Sequence, residues 1–176
     1  MRNSRRSWAR RATSLPQMVV AFLAVHLAGV LVGFTLLPLR TGTGAAAGSA
    51  AARATATALF ASNARLVAVT FLVSLCTGGT VAVFMVGANG VRYGLALASA
   101  TPAVRPVTVL DQLMAITFPW LEFAALIGMA ALGAVLFWRL WLNARLIGPR
   151  LLAGMSLASA ACLWGAAGME ARVLGS

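Results

Sequence analysis

Apolar positions in this chain fall into long runs rather than alternating or scattering, and the polar residues between them set the count of elements. Between Arg11 and Arg40 the only acidic or basic side chain is His26, and none occurs between Arg65 and Arg92. Between Asp111 and Arg139 there is only Glu122, and between Arg150 and Glu170 there is none. A membrane-spanning helix needs roughly 20 consecutive apolar residues, and each window supplies one. The pattern predicts an all-α, polytopic transmembrane bundle. A basic tail over 1–16 leads to spans at about 17–39, 66–87, 120–138 and 151–169, so that 17–176 forms a single helical domain.

The stretch 89–118 breaks this regularity. Asn89-Gly90 is a turn signal, Gly90-x-x-x-Gly94 opens a short apolar piece, and Pro102, Pro106 and Pro119 interrupt the chain beyond it. The expected element is broken or re-entrant, a form tolerated at membrane depth only where protein or water surrounds it. Gly78-Gly79 is expected to kink the second span or pack closely. Leu59 to Arg65 reads as an interfacial turn, and the Gly/Ala/Thr-rich stretch from Arg40 to Thr57 reads as an exterior loop.

Arginine placement tests the topology. Arg2, Arg5, Arg6, Arg10 and Arg11 put the tail in the cytoplasm by the positive-inside bias. The connector carrying Arg139, Arg145 and Arg150 falls on the same side only if 89–118 supplies a fifth crossing. Ser4-Arg5-Arg6-Ser7-Trp8 resembles a twin-arginine export signal, with Ala45-Ala46-Ala47 as a cleavage site. The length of the run from Met18 to Leu37, and its Gly29-x-x-x-Gly33 spacing, favour a retained span, while fourteen arginines without a lysine and the heavy alanine usage suggest a bacterial cell membrane as its setting.

Composition narrows function. The chain has 176 residues, 61% of them hydrophobic, a mean hydropathy of +0.90 and a net charge of +11. That charge sits at the ends of apolar runs, where it attracts anionic headgroups; nucleic acid is not expected as a partner. Cys76 and Cys162 lie singly in apolar runs and read as small buried hydrophobes. No metalloprotease, nucleophile-elbow or phosphate-loop motif occurs. Three carboxylates and one histidine are too few and too dispersed for a catalytic set, so no enzyme activity, metal or cofactor is expected.

The polar residues inside the bundle are the candidates for function. Glu122 is foremost, because a carboxylate at membrane depth costs roughly 2.5 kcal/mol or more on insertion scales. It must face the interior and find a donor, or be protonated, with Asn63, Asn89, Arg92 and the backbone freed by Pro119 as candidate partners. Asp111 begins a half-helix, where an acid favours the positive end of the helix dipole. Glu170 closes the last span, and His26 reads as an interhelical hydrogen-bonding residue.

The succession Asn63, Gly78-Gly79, Asn89-Gly90, Gly94, Glu122 followed by Gly133, and a closing Glu170 resembles the stage II sporulation protein M family of bacterial integral membrane proteins. The likeness covers about residues 59–170. Where that family has Pro-His-Gly ahead of the glutamate, this chain has Thr117, Phe118 and Pro119, as in a divergent member without the histidine. The resemblance implies a non-enzymatic membrane component working through partners: wall-associated proteins such as a peptidoglycan hydrolase, an ATPase, or further copies of itself. Small-residue faces at Gly29/Gly33, Gly90/Gly94, Gly154/Ala158 and Ala161/Gly165 fit a scaffold or assembly partner. The alternative is a transport, export or bacteriocin-immunity-type subunit with Glu122 in a polar path.

Overall fold

The computed structural model describes residues 14–40, 55–99, 109–142 and 147–175. They form five helices: α1 (Leu15–Arg40), α2 (Ala56–Thr77), α3 (Thr80–Ser99), α4 (Val109–Trp141) and α5 (Pro149–Gly175). Four windows are long and apolar enough to cross a membrane, Leu15–Leu36, Ala56–Thr77, Thr117–Trp141 and Pro149–Arg172. The basic tail as far as Thr13, the Gly/Ala-rich loop over 41–54, Pro102, Arg105, Pro106 and Arg145 lie outside the described residues, and Leu15 and Pro16 of the expected tail belong to α1.

Contacts along the helices give their directions. On α2, Asn63 meets Glu122, Ser74 meets Ala130, and Gly78 meets Trp138, so α2 and α4 run parallel. On α1, the Gly29 and Gly33 positions face Val91 and Leu95 further along α3, so these two are also parallel. Phe22 reaches the Gly79 end and His26 stacks on Phe123, which sets α1 antiparallel to α4. Met155 lies near Gly128 and Leu121 near Gly165, so α5 is antiparallel to α4. All five helices therefore traverse the bundle in alternating directions. The start of α1 and both edges of the Arg139–Arg150 connector share one end, which the positive-inside bias asks for.

Helix α4 is the centre. Phe123, Leu126, Ile127, Met129, Leu132 and Val135 are buried, with Ala125, Ala130, Ala131 and Ala134 between them. Lipid removes the hydrophobic drive between helices, so association comes from close packing and interhelical hydrogen bonds. Small residues supply that packing. A Cβ on Gly133 would lie 2.6 Å from the Phe71 carbonyl oxygen on α2. Beside it, the Ser74 hydroxyl donates to the Ala130 carbonyl at 2.6 Å. Outward positions such as Phe84, Leu31, Leu72 and Leu157 are large, apolar and exposed, as a lipid-facing surface is.

Several expected boundaries move. The second span is Ala56–Thr77, not 66–87. Its helix starts ten residues earlier because Thr55 caps it, the side-chain oxygen accepting from the Ala58 amide at 3.3 Å. Leu59 to Arg65 is accordingly helical rather than a turn. The chain breaks at Gly78-Gly79, whose φ values of 62° and 91° lie in the left-handed region that glycine tolerates. The Gly78 amide closes the helix on the Ser74 carbonyl, and Trp138 Nε1 donates to the Gly78 carbonyl at 3.1 Å.

Asn89-Gly90 is not a turn; it lies inside α3. Gly90 is glycine for proximity, since a Cβ there would collide with the His26 carbonyl oxygen and come within 3.1 Å of the Val30 amide nitrogen. The broken element expected over 89–118 is thus the second half of α3 and the start of α4, with 100–108 between them outside the described residues. Pro119 does not interrupt α4, and the fourth span of 120–138 is the inner part of that 33-residue helix. At 1.5 Å per residue α4 is roughly 50 Å long, more than the ~30 Å hydrocarbon layer, so its first turns extend beyond the apolar window that begins at Thr117.

The α1–α3 contact is the closest in the fold, and Gly33→Leu or Gly94→Leu should destabilise it by about 1–3 kcal/mol, the usual cost of overpacking. Thermal unfolding of the purified protein in detergent checks this: a lowered midpoint is expected, and an unchanged one contradicts the packing. By the same measurement, Gly78→Ala should cost about 1–2 kcal/mol through its left-handed backbone.

Candidate functional site

Three helices bring polar side chains to the Glu122 end. Asn63, Leu66 and Val69 lie on one face of α2, and Asn89, Arg92 and Tyr93 share a face of α3 by their three- and four-residue spacing. With Ser62, Arg65, Glu122 and Phe123 they line a recess of about 550 Å3. Glu122 stands one residue before the buried core of α4 begins, five residues into its apolar window.

The Asn63 side-chain amide donates to Glu122 Oε1, tying α2 to α4. Glu170, on α5, lies within electrostatic range of Glu122, as does Tyr93. Glu122 therefore takes its hydrogen bond from a neutral amide, while Arg65 and Arg92, both exposed at the recess, make no ion pair among the described residues. A carboxylate in lipid needs a donor, and the amide supplies one without burying a second charge.

Aromatic rings back the recess. Tyr93 meets Phe123 edge-on with ring centroids 4.8 Å apart, and His26 packs on Phe123 at 4.1 Å. His26 is 1% exposed. Its Nδ1–H donates to the Val86 carbonyl on α3 at 3.3 Å, the interhelical role expected of it, and its Nε2 has no partner among the described residues. Behind the polar residues Phe123, His26 and Val86 are all buried.

Of the expected site residues, Asn63, Asn89 and Glu122 meet in one recess, and Glu170 neighbours them. Gly90 and Gly94 do not face it; both are buried against α1, where they let the backbones approach. Residue 111 is the third of α4, as a helix-opening acid would be, but the Asp111 side chain lies outside the described residues. Sequence reasoning misses Ser62, Arg65, Tyr93 and Phe123 as members of the recess. Helical spacing from Asn89 carries the signal for Tyr93, four residues on, and Arg65 stands three residues from Ser62, but both depend on knowing that the segments are helical. Among the described residues no group of three His, Cys, Asp or Glu comes together to hold a metal ion. No family model, curated protein or solved structure matches this chain.

The Asn63–Glu122 bond should show in a double-mutant cycle. Asn63→Ala and Glu122→Ala are expected to couple by about 0.6–1.7 kcal/mol in unfolding, the range for interhelical hydrogen bonds in lipid. Additive effects would mean that the two side chains do not interact.

Proposed function

We propose that this chain is a non-enzymatic, multi-pass component of the bacterial cell membrane that acts as a scaffold or assembly partner for a larger complex, with its N-terminus in the cytoplasm. The observation that carries the reading is an asymmetry among the small-residue faces. Gly29, Gly33, Gly90, Gly94 and Gly133 are all consumed inside the bundle, each against the backbone of a neighbouring helix. On α5 the corresponding face is uncovered. A Cβ on Gly154 or Gly168 would meet nothing within 4 Å, Ala158 and Ala161 are exposed, and Leu157 and Trp164 are 71% and 55% exposed. Small residues flanked by large apolar ones suit the close approach of another transmembrane helix.

The resemblance to stage II sporulation protein M supports the same reading, since it implies work through wall-associated proteins or an ATPase. The alternative, a transport, export or bacteriocin-immunity-type subunit, has the Glu122 recess in its favour. Against it, the recess is backed by buried Phe123 and Val86, and the one polar side chain between them, His26, is 1% exposed and bonded through Nδ1 to the Val86 carbonyl.

The two readings separate by mutation. Gly154→Leu combined with Ala158→Leu should leave the fold intact, because both positions are exposed, while abolishing crosslinks between α5 and its partner in native membranes. Glu122→Gln should leave those crosslinks in place. Crosslinks that survive the α5 changes contradict the scaffold reading, and a Glu122→Gln protein that assembles normally yet loses proton-linked flux favours transport.

A further inference from the structure

The recess holds charge of both signs without pairing it internally. Arg65 and Arg92 come from different helices, are exposed at its lining and make no ion pair among the described residues. Glu122 is held by Asn63 through one oxygen, Oε1. Glu170 adds negative potential at that carboxylate. Asn89 and Tyr93 contribute further polar groups, and Phe123 and Leu66 an apolar wall. The volume of about 550 Å3 falls within the range of small-molecule sites, ~300–1,000 Å3.

Depth narrows the ligand. Glu122 lies five residues past Thr117, where the apolar window of α4 starts, or roughly 8 Å along the helix axis. With ~30 Å of hydrocarbon centred on that 25-residue window, Glu122 falls close to one edge of the hydrocarbon, within reach of a lipid headgroup. A group seated there must offer an anion to two guanidiniums, whose planar fork suits phosphate oxygens. It must also offer a donor to the carboxylate.

We infer that the recess between α2, α3 and α4 is a binding site for an aminoalkyl phosphate, the chemistry of an amine-bearing phospholipid headgroup: Arg65 and Arg92 hold the phosphate, and Glu122 accepts from the ammonium. The inference stands apart from the scaffold reading, since a seated headgroup requires no protein partner.

Native mass spectrometry of the full-length protein in mild detergent tests it. The probes are phosphatidylethanolamine, phosphatidylglycerol, phosphatidylcholine and free phosphoethanolamine. Phosphatidylethanolamine should bind about tenfold more tightly than phosphatidylcholine, whose quaternary ammonium has no N–H for Glu122, as loss of one charge-assisted hydrogen bond predicts. Arg65→Gln with Arg92→Gln should weaken every phosphate-bearing probe by about tenfold or more, and both positions are exposed, so the fold should hold. Glu122→Gln should reduce the preference for the amine while leaving phosphate binding. Competition by free phosphoethanolamine at concentrations comparable with the lipid assigns the site to a soluble ligand of the same class; failure to compete assigns it to lipid. Equal binding of all lipids, or affinities indifferent to the arginine changes in a protein of unchanged melting temperature, overturns the inference.

Discussion

The backbone contact between α1 and α3 is the constraint on which the rest depends. Helix α3 carries Asn89 and Arg92 in its second half, residues that a lone helix would not readily hold in lipid. Four glycines, at 29, 33, 90 and 94, let α1 and α3 approach until the backbone of each occupies the space where the other's Cβ atoms would stand. That approach fixes the rotation of α3. With Gly90 and Gly94 turned towards α1, Asn89, Arg92 and Tyr93 face the cleft between α2 and α4. The polar recess thus follows from the glycine face opposite it.

Glu122 shows how the same economy works on the other wall. The carboxylate is placed near the start of the central helix's apolar window, five residues past Thr117, and its donor is an amide from the parallel helix α2. Deeper in the bundle the polar groups are hydroxyls and an imidazole that bond to backbone carbonyls, as Ser74 does to Ala130 and His26 to Val86. Polar strength therefore falls from one end of the bundle towards its interior. This gradient suits a protein that meets polar groups at the membrane surface while keeping a closed apolar core.

Much of this is legible in the sequence, and the part that is not has a physical cause. The charge-free windows mark the helical class and four spanning helices, because hydropathy at membrane depth is a strong constraint. The sequence offers Asn63, Asn89 and Arg92 alike as donors to Glu122, and only the packing of α2 on α4 selects Asn63. The break is misplaced by sequence reasoning because glycine serves two purposes that look alike in one dimension. Asn89-Gly90 reads as a turn by local chemistry, whereas Gly90 answers to the backbone of α1, a different helix. Gly78-Gly79 reads as a kink within one span because the apolar run continues through it, whereas it ends α2, at the one point among the described residues where the backbone turns left-handed. Arg65 and Arg92 can be assigned to a common recess only once both segments are known to be helical.

The proposed topology depends on α3 crossing the membrane, carried by α1, with the two ends of the Thr80–Ser99 segment at opposite faces and the N-terminus in the cytoplasm. Single cysteines introduced by Thr80→Cys and by Ser99→Cys, each in a background with Cys76→Ala and Cys162→Ala, can be labelled in intact cells with a membrane-impermeant thiol reagent and again after permeabilisation. The account predicts that position 99 labels from outside and position 80 only after permeabilisation. Labelling of both positions from the same side would contradict it.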